Sequence, residues 1–457
     1  MKIDQNLSSS MTDNSQYTNP DWLGAQWMPF TGNREFKQNP RMIVAAEGCY
    51  FRDQHGRQIF DGLSGLWCCG LGHGRKEIGD AIQRQYNRLD YSPQFQFGHP
   101  RAFELANRLV EITPSSLQHA FFSNSGSESV DTALKIARAY WRCKGQAHRT
   151  RFIGREKGFH GVNFGGTAVG GMTFNRKAFG QSVESDHIAH TLLPQNSFVR
   201  GLPQQGAELA EDLARKIAFH DPQTIAAVIV EPIAGSCGVL PPPQGYLQRV
   251  AEICRQNDIL LILDEVITGF GRLGSYTAAA AFGIEPDILT CAKQITNGVA
   301  PLAATLVSDD IYQAFMQADN PHYLIEFPHG YTYSGHPVVC AASLAVLDLL
   351  EQEQVLERVR KLAPVFENAV HQPKGAKHIT DIRNYGLAAG FSLEPYTAGG
   401  QPEPVRRPYE VSMKMWEKGF YARYGGDALA FAPPFIATEK QIDDYVSALG
   451  ETLQSVE

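Results

Sequence analysis

The sequence predicts an α/β fold: a large domain built on a mostly parallel, seven-stranded, doubly wound sheet, plus a smaller α+β domain drawn from both termini. Three observations predict it. Short apolar runs of strand length alternate with helix-patterned stretches between His119 and Val307. Those runs are continuous rather than alternating, as expected of strands covered on both faces. The gap from Lys293 to Ala303 is too short for a helical crossover, so the last strand should run antiparallel to its neighbours.

In chain order, residues 1 to about 20 are polar and read as a tail. Trp22 to Phe30 is aromatic without helical period, a segment expected to press against another surface. Met42 to Phe60 holds two β-like runs around Asp53-Gln-His-Gly56, a hairpin signal. A glycine-rich loop, DGLSGLWCCGLGHGRKEI, follows with Trp67 at its middle, either lining a pocket or anchoring the packing. Residues 77–90 and 101–112 read as helices, the second opened by Pro100 and closed before Thr113-Pro114.

His119–Ser123 is a short strand that runs into SNSGSESVDTALKIARAYWR, a small-residue turn feeding a helix. Ser125, Gly126 and Ser127 place backbone N–H groups at that helix's positive end, which suits both an anion and plain N-capping. Further strands are expected at Phe152-Ile153, Ile188–Leu193, Ile225–Val230, Ile259–Asp264, Asp287–Cys291 and Ala303–Val307. Residues 338–370 read as one continuous helix leading to the C-terminal part, where Ile382–Leu393 and Gly419–Phe431 supply strands and Glu439–Leu453 a last helix. Breaks at Pro241-Pro242-Pro243 and residues 398–408 punctuate the chain. The expected division is 1–75 as the N-terminal part of the small domain, 76–340 as the large domain and 341–457 as the rest of the small one.

Composition excludes several function classes. A net charge of -7, from 41 basic and 48 acidic residues, with no basic run, argues against nucleic-acid binding. No apolar stretch approaches membrane-spanning length, and MKIDQNLSSSMTDNSQ lacks the apolar core of a signal peptide. Of eight cysteines, Cys68 and Cys69 are adjacent and the others scattered with no C-x-x-C pair, so reduced thiols in the cytoplasm are expected. The 14 histidines show no ligand spacing, so no metal is expected.

The chemistry concentrates between Ile259 and Pro301. Asp264 ends one strand and Lys293 lies just past the end of the next parallel one, which delivers both to one crevice at the carboxyl edge of the sheet. A lysine amine can form a Schiff base with the aldehyde of pyridoxal phosphate while a carboxylate keeps its ring nitrogen protonated. A structural salt bridge is the plainer alternative. Gly269, Gly271 and Gly274 spell G-x-G-x-x-G, yet Asp-Glu-Val-Ile-Thr separates them from the strand, which disfavours a dinucleotide site.

The motifs NSGSESVDTALKIARAYW, VEPIAGS, DEVITGFGRLG, PDILTCAKQITNG and HGYTYSGHP, in chain order, together resemble the class III pyridoxal-phosphate aminotransferases. The likeness runs from about Trp22 onward and is nearest to the omega-amino-acid:pyruvate (beta-alanine:pyruvate) branch. It implies a fold-type I enzyme with pyridoxal 5'-phosphate bound to Lys293, which also shuttles a proton at the substrate carbon. Asp264 then pairs with the ring nitrogen and Val266 packs on one ring face. Gly126 and Ser127 hold the phosphate, and Thr332 reaches it from the partner subunit of a homodimer, or of a dimer of dimers.

Where the family has Tyr-His-Gly, this chain has Phe159-His160-Gly161, which keeps a ring for stacking and loses the hydroxyl. Glu231 matches the glutamate of the family's VEP motif. Arg423, in GFYARYGGD, matches the carboxylate-binding arginine, and Trp67 with Leu66 matches the pocket wall. The implied reaction passes the amino group of an omega-amino acid or amine to pyruvate, giving L-alanine and a semialdehyde or ketone. An amine- or taurine-preferring transaminase and an aminomutase remain alternatives.

Overall fold

The computed structural model describes residue 17 and residues 19–457, so the expected N-terminal tail lies almost wholly outside the described residues. Strands β1 (Ile43–Glu47), β2 (Tyr50–Asp53) and β3 (Gln58–Asp61) form an antiparallel meander near the start. The large sheet is made of β4 (Leu117–Ser123), β5 (Arg151–Arg155), β6 (Ser185–Ile188), β7 (Ile225–Val230), β8 (Leu260–Asp264), β9 (Ile288–Cys291) and β10 (Ala303–Ser308). After it come β11 (Ile379–Tyr385), β12 (Ala388–Leu393), a small hairpin of β13 (Tyr396–Ala398) and β14 (Gln401–Glu403), then β15 (Phe420–Tyr421), β16 (Arg423–Gly425) and β17 (Ala428–Phe431).

The large sheet has the order β4-β10-β9-β8-β7-β5-β6. Its strands are parallel except β10, which runs antiparallel to both β4 and β9, as the short Lys293–Ala303 connection requires. Every residue of β7, β8 and β9 is buried, which is why their sequences are unbroken apolar runs. Successive side chains still alternate between two cores. Leu261 and Leu263 join the one that reaches the C-terminal strands, while Leu260 and Ile262 pack with Val130, Leu134 and Trp141 of the helix Gly126–Cys143.

Chain ends meet in the smaller sheets. The C-terminal strand β15 pairs in parallel with β3, placing Tyr421 opposite Asp61. The antiparallel sheet β11-β12-β17-β16 carries Arg423 on its edge strand. Among the described residues no helix is long and apolar enough to cross a membrane.

Two sequence expectations need correction. The strand expected at Ile188–Leu193 is instead Ser185–Ile188. β6 pairs only with β5, whose register ends at Arg155 opposite Ile188, and the Ala189 N–H then turns to the Asp212 carboxylate 2.8 Å away. The continuous helix over 338–370 is two helices, Pro337–Gln352 and Val355–Val370, separated at Gln354 with φ +50. A left-handed glutamine carries no local signal, whereas Pro364, the residue that would have marked a break, sits inside the second helix. Within Trp22 to Phe30, Leu23 is buried while Trp27 is 88% exposed, and Asn19 caps a short helix, Pro20–Gly24.

Candidate active site

The carboxyl ends of the parallel strands converge on one edge, where open α/β sheets place their ligands. Asp264 closes β8 in register with Thr290 of β9. Two residues past the end of β9, Lys293 opens a single 3-10 turn with φ +54, after an extended Ala292.

Asp264 is 5% exposed and fully engaged. One carboxylate oxygen accepts from the Val266 N–H at 3.1 Å and the Thr290 hydroxyl at 3.3 Å, and the other lies 2.8 Å from His160 Nδ1. The Lys293 amine has no hydrogen-bond or ion-pair partner among the described residues. Burial holds it below the ordinary lysine range, opposed by the charge of Asp264 and, less strongly, by Cys68 and Glu231. An amine destabilised as a cation and facing a fixed carboxylate is equipped for attack on a carbonyl.

Sequence-distant motifs close around this pair. The helix Gly126–Cys143 starts at the tip of β4, with Ser125 capping the Glu128 N–H at 3.2 Å. Among the described residues the N–H groups of Gly126 and Ser127 have no acceptor, at the positive end of an 18-residue helix. A Cβ on Gly126 would lie 2.9 Å from both Val266 methyls, so the helix start and the Asp264-Glu-Val266 turn are in direct contact. Gly161, with φ +93, is equally tight, since a Cβ there would lie 2.5 Å from Ser127 Oγ. Ser127 Oγ accepts from the Val162 N–H at 3.0 Å, which fixes the loop carrying Phe159 and His160 beside the helix start.

Glu231, 4% exposed at the end of β7, accepts from the Phe159 N–H at 2.9 Å and the Gly235 N–H at 3.1 Å. Burial raises its carboxyl above the usual range. It therefore acts by holding the Phe159 backbone in place.

Residues that the sequence reading did not single out bring the Trp67 loop to the lysine. Gln294 accepts the Gly70 N–H at 2.6 Å, and Asn297 accepts the Leu71 N–H at 2.9 Å while donating to the Gly72 carbonyl at 2.8 Å. Asp61, fully buried, takes the Leu63 and Gly65 N–H groups and lies 2.8 Å from His73 Nε2. Trp67 (φ +69) is buried with its ring 5.8 Å from the Arg272 guanidinium, whereas Leu66 is 46% exposed. Arg272 is itself buried, bound to the Pro433 and Leu387 carbonyls and to Ser64 Oγ, and so ties the Gly271–Gly274 turns to the C-terminal part. The G-x-G-x-x-G glycines thus lie in turns, and no helix opens until Ala278. This is not a dinucleotide arrangement. Polar residues inside glycine-rich loops were the available signal for Gln294 and Asn297; nothing local marked Asp61.

Two further expected site residues come from other parts of the chain. Arg423 is part-buried on β16 without a carboxylate partner among the described residues, beside Tyr421, which in turn feels Asp61. Thr332 is exposed, its carbonyl accepting from the Tyr91 hydroxyl at 3.0 Å.

A mostly parallel sheet that presents an unpaired lysine opposite a carboxylate, next to an open anion-binding helix end, defines an enzyme of the pyridoxal-phosphate type. Residues 31–453 match the family model for aminotransferase class-III. The chain is 52% identical over 435 residues to a beta-alanine–pyruvate aminotransferase of Pseudomonas aeruginosa, covering 95% of this chain and 96% of that one. It is also 52% identical to an omega-amino acid–pyruvate aminotransferase of Pseudomonas putida, with 95% and 96% covered. Among solved structures, an amine transaminase from an uncultivated Pseudomonas species, in PLP-bound form, superposes with a TM-score of 0.87 at 34% identity, covering 95% of this chain and 99% of that one. The chain belongs to the class III aminotransferases, and its cofactor is pyridoxal 5'-phosphate. The free N–H groups at Gly126 and Ser127, the unpaired Lys293 amine and the anchored Asp264 carboxylate suit that cofactor's phosphate, aldehyde and ring nitrogen respectively.

Proposed function

We propose that this chain transfers the amino group of a beta-alanine-like omega-amino acid to pyruvate, releasing a semialdehyde and L-alanine. The observation that carries the reading is the Lys293 amine, lowered by burial and unpaired, facing an Asp264 carboxylate that His160, Val266 and Thr290 hold in place. The relatives named for beta-alanine or omega-amino acids and pyruvate, at 52% identity, support the choice of substrates.

When bound, pyridoxal phosphate supplies an electron sink conjugated to the carbon that bears the amino group. Lys293 would hold the cofactor through its aldehyde, and its amine would move the proton at the substrate carbon that bears the amino group. Asp264 keeps the ring nitrogen charged, and His160 keeps Asp264 in place. Phe159 and Val266 would pack against the cofactor ring, and Glu231 fixes the backbone of the first. Gly126 and Ser127 bind the phosphate through backbone N–H groups. Arg423 binds the substrate carboxylate, and Trp67 with Leu66 forms the apolar wall opposite.

The working unit in this reading is a homodimer, or a pair of them, in the cytoplasm. Thr332 is exposed beside Tyr333 (60%) and Tyr91 (38%), aromatic surface that a partner subunit would cover. From there Thr332 completes the phosphate site of the partner subunit.

A donor-by-acceptor panel tests the substrate reading. Beta-alanine with pyruvate should give the highest kcat/KM, with alanine accumulating in step with the semialdehyde. Faster turnover of an aryl amine or taurine would transfer the assignment to that donor. Turnover without any keto acid would mean an aminomutase.

A further inference from the structure

Two thiols that the transamination reading does not use lie beside the catalytic lysine. Cys68 and Cys69 are adjacent, yet their sulfurs are 3.8 Å apart and point to the same side. Neighbouring residues of an extended chain would face opposite ways. Here the backbone turns through Ser64 (φ +49), Gly65 (φ +68) and Trp67 (φ +69), and both Cys68 and Cys69 N–H groups bond to the one Ser64 carbonyl at 2.9 Å.

The sulfurs share a slot between two glycines. A Cβ on Gly298 would meet Cys69 Sγ at 2.9 Å and Cys68 Sγ at 3.0 Å, and one on Gly65 would meet them at 3.1 and 3.3 Å. Gly298 belongs to the segment that begins at Lys293, and Gln294 and Asn297 bolt that segment to Gly70 and Leu71. Both thiols are part-exposed, unlike the buried Cys49, Cys254, Cys291 and Cys340. The Cys69 thiol donating to Cys68, aided by Lys293, draws Cys68 below the ordinary thiol range, and a thiolate is the reactive form.

A direct disulfide is disfavoured. Adjacent Cα atoms are about 3.8 Å apart, and relaxed disulfides need roughly 4.4–6.8 Å. A third atom bridging the sulfurs avoids that strain, and soft thiolates select soft acceptors.

The geometry points to Cys68 and Cys69 as a dithiol site that captures a soft, two-bond thiophile of the trivalent organoarsenical class, and to occupancy of that slot shutting the adjoining Lys293 recess. For an arsenoso compound the capture balances without redox change. Two As–S bonds form, the As=O bond breaks, and its oxygen leaves as water with both thiol protons while arsenic stays trivalent.

The test treats the holoenzyme with phenylarsine oxide and follows intact mass, peptide mapping and transamination together. The expected result is one adduct per chain, on the peptide carrying Cys68 and Cys69, with activity lost in proportion. A dithiol such as 2,3-dimercaptopropanol should release it, while a monothiol at equal thiol concentration should not. Cys68→Ser and Cys69→Ser should each retain the probe roughly 10²-fold less well, because one bond of the chelate is gone, and Cys143→Ser should retain it fully. An adduct mapped elsewhere, release by the monothiol, an occupied site with full activity, or no adduct at all would overturn the proposal. The mapping uses the native chain, so it decides the matter even where a serine variant folds poorly.

Discussion

His160 Nδ1 lies 2.8 Å from Asp264 Oδ2, with both side chains almost wholly buried. The contact joins the loop after β5 to the tip of β8, and it leaves the opposite nitrogen of His160 without a partner among the described residues. Asp264→Asn keeps the shape and removes the charge, so kcat should fall roughly 10²–10³-fold, the usual cost of losing one preorganised electrostatic contact. His160→Ala keeps the charge but frees one oxygen. Its loss should be smaller, about 1.5–3 kcal/mol for a hydrogen bond to a charged group. Steady-state kinetics on both variants checks the ranking; a larger defect in the histidine variant would contradict it.

Glu265, next in sequence to Asp264, predicts a pH dependence of stability. It is 1% exposed and accepts the Ala278 and Ala279 N–H groups at 2.5 and 2.7 Å, and burial pushes its carboxyl up to about 7. The folded state binds this proton more tightly than the unfolded state, for which the ordinary value is 4.5. The stabilisation is therefore complete below pH 4.5 and is lost as pH rises to about 7, on the order of 3 kcal/mol across that window. Denaturant midpoints at pH 5 and pH 8 should differ less in Glu265→Gln than in the native chain. Equal slopes would assign the pH dependence to other groups.

The parallel sheet was legible because complete burial forces unbroken apolar runs on β7, β8 and β9, and because crossover length decides strand direction. Asp264 and Lys293 were legible for the same reason, since a strand's end in sequence is also the sheet's edge in space. What escaped detection depends on non-local pairing. β6 stops where its single neighbour stops, and Gln354 turns left-handed between two strongly helical segments. Asp61 has no local signature either, because its acceptor role exists only once the Trp67 loop has folded around it.

Gly126→Ala tests the anion site at the helix start. The added methyl would sit 2.9 Å from both Val266 methyls, closer than carbon atoms tolerate, and must displace either the helix end or the residue proposed to cover the ring. Cofactor affinity should weaken about tenfold, or 1.4 kcal/mol, measured by titrating the apoprotein with pyridoxal phosphate. Unchanged affinity would place the phosphate elsewhere.

Arg423→Ala tests the carboxylate role. With no carboxylate partner among the described residues, this arginine should matter for substrates and little for folding. Losing charge-assisted hydrogen bonds of about 1.5–3 kcal/mol should lower kcat/KM for pyruvate roughly 10–10²-fold, while a short aldehyde acceptor is spared. Equal losses for both acceptors would remove Arg423 from carboxylate recognition.

The most direct measurement is borohydride reduction of the holoenzyme followed by peptide mapping. The account predicts a single pyridoxyl group fixed to Lys293, on the peptide that follows β9, and no such adduct in Lys293→Ala. A reduced cofactor on any other lysine, or a native chain that retains none, would contradict it.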